Sequence, residues 1–110
     1  MIHELLDNNV LTIVMDRSAK KNALVPKMYN DMAIAIENAA LSEVKVIVIK
    51  GAGGCFTAGN DVPEFIRAVE EGHGEVNETY RFMKALLHCP LPIVAQVEGL
   101  AIGIGSTLLL

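Results

Sequence analysis

Apolar positions at the start of the chain fall into two short runs, Ile2 to Leu6 and Val10 to Met15, parted by Asp7-Asn8-Asn9. Two such runs around a cluster of turn-forming residues predict a β-hairpin. Asp16 to Asn22 is polar and basic and predicts a loop. From Pro26 the period lengthens: Met28, Met32, Ile36 and Ala39-Ala40 recur at helical spacing, with Leu24 and Val25 just upstream. Proline suits a first helical turn, where its missing N–H would have had no intrahelical acceptor. Leu41-Ser42-Glu43 ends that helix. Val44 to Ile49 is apolar at nearly every position, as a strand covered on both faces should be. Gly51-Ala52-Gly53-Gly54 follows at once. Asp61 to about Glu71 predicts a short helix, with Pro63 early and Gly72-His73-Gly74 as its stop. Asn77 to Leu87 predicts another, with Tyr80, Met83 and Leu87 on one side, and Cys89-Pro90-Leu91-Pro92 breaks it. Ile93 to Val97 is a second buried strand, after which Gly103-Ile104-Gly105 opens a further helix. The order β-β-α-β-α-α-β-α implies an α/β fold with parallel pairing and right-handed crossovers.

Thr107-Leu108-Leu109-Leu110 ends the chain inside an apolar helix start, without a C-cap or a polar face. The expectation is that residues 1–110 form the N-terminal part of one domain of a longer protein, whose C-terminal helical region is missing. With 52% hydrophobic and 20% charged residues the composition excludes a disordered chain. Nine Lys+Arg against 13 Asp+Glu, with no basic stripe, argues against a nucleic-acid partner. No run approaches the roughly 18 consecutive apolar residues of a membrane span. Met1-Ile2-His3-Glu4 lacks the features of a signal peptide. Cys55 and Cys89 have no metal or redox spacing and read as free thiols of a reducing, cytoplasmic compartment. His3, His73 and His88 are scattered, so no metal site is expected.

Two segments share one design of strand, glycines and helix start. The first runs from Val46-Ile47-Val48-Ile49 through Gly51 to Thr57-Ala58-Gly59-Asn60-Asp61; the second runs from Ile93-Val94-Ala95-Gln96-Val97-Glu98-Gly99 to Gly103-Ile104-Gly105. Ligands of open parallel sheets gather beyond the carboxyl ends of the strands. Backbone N–H groups at a helix N-terminus attract negative charge there. Two such loops converging would offer two donors to one oxygen, an oxyanion hole. Phosphate cradles fit less well. Phe56 stands where a dinucleotide fingerprint needs its third glycine, and no Gly-Lys-Ser/Thr follows. The plain alternative for either loop alone is a tight turn.

The residues that carry a resemblance are Asp16-Arg17 to Asn22-Ala23-Leu24, Phe56-Thr57-Ala58-Gly59-Asn60-Asp61-Val62, and Pro92-Ile93-Val94-Ala95-Gln96-Val97-Glu98-Gly99 through Ala101-Ile102-Gly103-Ile104-Gly105. In this order and at these separations they resemble the crotonase superfamily, the enoyl-CoA hydratase/isomerase family. The resemblance implies a crotonase-like spiral of repeated ββα units, truncated here, and assembly as a homotrimer or a dimer of trimers. It implies an acyl-CoA thioester as substrate, with coenzyme A entering as part of that substrate and no separate cofactor. The enolate oxygen would be held by the backbone N–H groups of Asn60 and Ile104, while Gly59, Gly103 and Gly105 let the backbone come close. The segment Asn22, Ala23, Leu24 to Val25 and the loop Ala58 to Val62, including Asp61, would line the coenzyme A path. The side chains are almost incidental to the oxyanion role.

The hydratases of that family carry two catalytic glutamates, and the first would fall at Thr107, which cannot act as a carboxylate base. Gly99 to Leu109, together with Ala58-Gly59-Asn60-Asp61, looks more like the Δ3,Δ2-enoyl-CoA isomerase branch of fatty-acid metabolism. There a single carboxylate, expected beyond Leu110, moves a proton along the acyl chain. The alternatives are an enoyl-CoA hydratase, which is a lyase, and a non-catalytic acyl-CoA-binding paralogue.

Other residues have plainer readings. Asp61 suits an N-cap for the helix from Val62 better than a base. Glu64 belongs to a solvated face and Glu98 to a surface or interface turn. Cys55 reads as a small buried residue. Arg17, Lys20 and Lys21 form the one basic patch, either a coenzyme A phosphate contact or a solvated loop.

Overall fold

A computed structural model describes residues 1–72 and 77–102. The hairpin forms as predicted, with β1 (Ile2–Asp7) antiparallel to β2 (Val10–Met15) and Asp7 opposite Val10. Its two-residue turn puts Asn8 and Asn9 at φ of 52° and 66°. Left-handed conformations at both positions match the right-handed twist of the strands, and Asn tolerates them better than most residues. The polar loop that follows contains one 3-10 turn, Ser18–Lys20.

Helix α1 (Pro26–Ala40) begins with its proline in the first turn and buries Met28, Tyr29, Met32, Ala33, Ala35, Ile36 and Ala39. It connects β2 to β3 (Val46–Gly51), and β3 pairs parallel with β2. Helices α2 (Val62–Glu70) and α3 (Asn77–His88) lead to β4 (Ile93–Gln96), parallel to β3. The sheet order is β1-β2-β3-β4. Leu11, Ile13 and Met15 of β2 alternate inward, as do Ile47 and Ile49 of β3, and meet α1 together with Phe82 and Ala85 of α3. The Met28 and Met32 face is core, as its spacing predicts.

The expectation that both parallel strands are buried on both faces is corrected. Val46 and Val48 are only half-buried, and Val94 of β4 is 51% exposed. Apolar composition reports that a face can be covered, not what covers it. Core contacts reach the sheet from α1 and α3 on one face, and β4 is an edge strand among the described residues. No helix among the described residues is long and apolar enough to cross a membrane.

Candidate active site

The loops after β2 and β3 are stitched together by polar side chains. Asn22 is fully buried, with φ at 57°. Its carboxamide oxygen accepts from the Arg17 N–H at 2.8 Å, and its Nδ2 donates to Ala52 O at 2.9 Å and Cys55 O at 2.8 Å. Thr57, also fully buried, donates its hydroxyl to Asn22 O at 2.6 Å and accepts from the Gly59 N–H at 3.1 Å. Buried polar groups are costly unless paired, and here each serves a neighbouring loop.

Asn60 sits at the centre of this arrangement. Leu24 N–H donates to Gly59 O and Asp61 N–H donates to Leu24 O, both at 2.8 Å, bracketing Asn60 in a parallel bridge. In such a bridge the bracketed residue turns its own N–H and C=O to the opposite side. The Asn60 N–H accordingly points away from Leu24 and has no acceptor among the described residues. Gly59, at φ of 91°, makes the sharp approach to it, in a region side chains rarely enter.

The residues on either side of that amide are held firmly. Asp61 caps α2 by accepting from the Glu64 N–H at 3.2 Å, as expected. It also pairs with Arg17, whose Nη1 lies 2.7 Å from Oδ2 and donates to Ala23 O at 3.1 Å. The hydrogen bond from Arg17 holds the Asp61 carboxyl below the usual carboxylate range, against a smaller opposing effect of burial. Tyr29 of α1 donates its hydroxyl to the Asn60 carboxamide oxygen. Burial pushes the Tyr29 phenol well above its ordinary pKa, so it stays a protonated donor. Its ring meets Phe65 of α2 edge-on at 6.2 Å and Phe82 of α3 at 5.4 Å.

The second glycine loop runs beside the first. Phe56 N–H donates to Glu98 O at 2.8 Å, Thr57 N–H to Leu100 O at 2.9 Å, and Ile102 N–H to Thr57 O at 3.1 Å. The two loops are thus joined by backbone bonds as far as Ile102. Gly99 has φ of 63°, and a Cβ there would stand 2.4 Å from Gly54 O, so the two loops meet through a position without a side chain.

The other expected site residues fall as follows. Ala58 is half-buried and donates its N–H to Lys21 O, while Val62 is exposed at the start of α2. Leu24 turns its side chain into the core and offers only backbone to the site. Glu64 pairs with Arg67 at 2.6 Å, and Glu98 is exposed. Gly103, Ile104, Gly105 and Thr107 lie outside the described residues, and so does the helix expected to start there.

Two readings of side chains are corrected. Arg17 is not a solvated charge of the basic loop: it folds inward onto Asp61 and Ala23. Cys55 is half-buried, with its Sγ 3.2 Å from Lys21 O. The Asn60 carboxamide oxygen accepts from Tyr29. The helical spacing runs through Met28, Met32 and Ile36, and nothing local announces Tyr29 or its partner.

The hairpin feeding a parallel sheet through helices is the arrangement that solved crotonase-fold structures share with this chain. The structure superposes on that of Pseudomonas aeruginosa OdaA with a TM-score of 0.88 and 42% identity, covering 98% of this chain and 43% of that one. It matches an enoyl-CoA hydratase of Mycobacterium marinum with a TM-score of 0.90 and 31% identity, over 98% of this chain and 53% of that one. Enoyl-CoA delta isomerase 2 of Rattus norvegicus is 35% identical over 107 residues, 94% of this chain and 27% of the rat protein. Residues 6–110 match the enoyl-CoA hydratase/isomerase family, and the chain belongs to it. It spans about a quarter of the length of the rat relative, at 27%, and about half or less of these two solved chains.

Proposed function

We propose that the protein shifts the double bond of an enoyl-CoA thioester, with the enolate oxygen received by the backbone N–H groups of Asn60 and Ile104. The observation that carries this reading is the Asn60 N–H. It lies two residues before the first turn of α2, is turned away from its bridging partner Leu24, and has no acceptor among the described residues. A thioester makes its neighbouring C–H only weakly acidic, so proton removal depends on stabilising the oxygen that gains charge. Loss of one such donor raises the barrier by about 3–4 kcal/mol.

The proton also needs a positioned base. Asp61, adjoining the donor, is taken up by Arg17 and by the cap of α2. A carboxylate already committed to a guanidinium and a helix N-terminus is a poor proton acceptor. We therefore assign the shuttle to another carboxylate of the full protein, and Asp61 to holding the loop. Thr107, where the hydratases of the family carry a glutamate, favours isomerisation over addition of water.

The test offers the intact protein a 3-enoyl-CoA and, separately, a 2-enoyl-CoA, following the absorbance of the conjugated thioester. Growth of that absorbance with the first, and no hydration of the second, is the expected result. Hydration of the second would make the protein a hydratase. Binding of both thioesters without reaction would leave a non-catalytic acyl-CoA-binding protein.

A further inference from the structure

We propose that Tyr29 is a positioning residue for the oxyanion-binding amide, acting through the carboxamide of Asn60. The inference rests on the reading above, since it assigns a task to a side-chain bond at that amide. The Tyr29 hydroxyl donates to Asn60 Oδ1, joining a loop that begins at a left-handed glycine to a residue of α1 with no exposed surface. Leu24 holds the peptide planes on either side of Asn60, and the plane it grips through Gly59 O is the one that carries the Asn60 N–H. On the far side of that plane, the Asn60 side chain adds a restraint of its own, and its partner among the described residues is Tyr29.

Tyr29 is well made for this. Phe65 stands at 72° to its ring and Phe82 at 52°, so the phenol is wedged between α2 and α3. Tyrosine has few rotatable bonds, and a ring clamped by two others keeps its hydroxyl in place. A backbone donor aimed at developing charge works because it does not reorganise during the reaction. Anchoring Asn60 to the core rather than to another loop residue supplies that rigidity. An alanine at residue 60 would present the same N–H without the anchor.

A merely structural role, in which Asn60 only satisfies a buried phenol, predicts a different outcome. The experiment compares Tyr29→Phe, Asn60→Ala and the double variant in the intact protein, with Met32→Leu as a core control. It measures kcat, KM, the melting temperature and the infrared carbonyl stretch of a bound 2-enoyl-CoA. Tyr29→Phe should lower kcat by about 10- to 100-fold, the scale on which small misplacements act. KM should stay within about twofold, because the lost restraint matters most in the transition state. The red shift of the bound carbonyl should shrink, and the double variant should be no slower than Asn60→Ala alone.

The proposal is overturned if Tyr29→Phe keeps the wild-type kcat and carbonyl shift. It is equally overturned if the two substitutions lower kcat independently, or if Met32→Leu lowers kcat as much for the same fall in melting temperature. A wild-type protein that binds the thioester without shifting its carbonyl would defeat the oxyanion reading itself, and this inference with it. Normal polarisation in both wild type and Tyr29→Phe would defeat this inference alone.

Discussion

The two glycine loops at the carboxyl ends of β3 and β4 look alike in sequence and are fixed by different means. The first, from Gly51 to Asn60, receives side chains sent from distant parts of the chain: Asn22 onto Ala52 and Cys55, Tyr29 onto Asn60, and Arg17 onto the adjoining Asp61. The second, from Glu98 to Ile102, is joined to the first by backbone bonds at Phe56, Thr57 and Ile102, and both Leu100 and Ile102 remain exposed. Order therefore flows from the first loop to the second. The Asn60 N–H, the donor proposed above, lies on the loop with the more side-chain anchors.

The sharpest way to break this asymmetry is Asn22→Ala. The substitution leaves Ala52 O, Cys55 O and the Arg17 N–H without their partner in a fully buried position. Each stranded group costs on the order of 1–3 kcal/mol, so a total loss of about 3 kcal/mol or more is expected in urea unfolding. Alanine also tolerates the left-handed backbone at this position less well than asparagine. Amide exchange should quicken at Leu24, Thr57 and Ile102 together, because the second loop leans on the first. Continued protection of Ile102 would show that the second loop holds itself.

Gly99→Ala is the complementary test and should cost less, about 2 kcal/mol, from a side chain at positive φ pressed against backbone. The Cβ would start 2.4 Å from Gly54 O, forcing the loops apart. Exchange should quicken at Phe56 and Ile102, while Leu24, bonded to Gly59, keeps its protection. Loss of protection at Leu24 as well would mean that the two loops form one cooperative unit.

Much of the fold was legible because it is local. The hairpin follows from apolar runs around Asn8-Asn9, α1 from its period and Pro26, and the cap of α2 from an Asp just before the helix. Asn60 is singled out by the resemblance to the family, and Asp61 as a cap by the helix that follows it. Their anchors are not singled out. Tyr29 lies 31 residues from Asn60 and Arg17 lies 44 from Asp61, and only the folded chain brings them together. Charge could be read at Arg17, but charge alone grouped it with Lys20 and Lys21 instead of its buried partner. The same gap explains the strands: the valines of β3 and β4 announce an apolar surface without saying which element covers it.

The smallest expected effect isolates the charge of Asp61 from its cap. Asn is as good an N-cap as Asp, so Asp61→Asn keeps the bond to the Glu64 N–H and weakens only the pair with Arg17. Because Arg17 lowers the carboxyl pKa in the folded state, Asp61 binds a proton less readily there than in the unfolded chain, where the value is about 3.9. Its stabilising contribution is therefore fully present above that value and is lost as pH falls below it, through the folded pKa. Wild type should exceed Asp61→Asn in urea midpoint at pH 6, by a margin that narrows progressively below about pH 4. The margin should shrink only modestly in high salt, since the pair is largely shielded from solvent, with side-chain exposures of 18% and 12%. A margin that stays constant down to pH 3 would show that the ion pair adds nothing to the stability of the loop. The anchoring on that side of Asn60 would then fall to the cap and to Leu24.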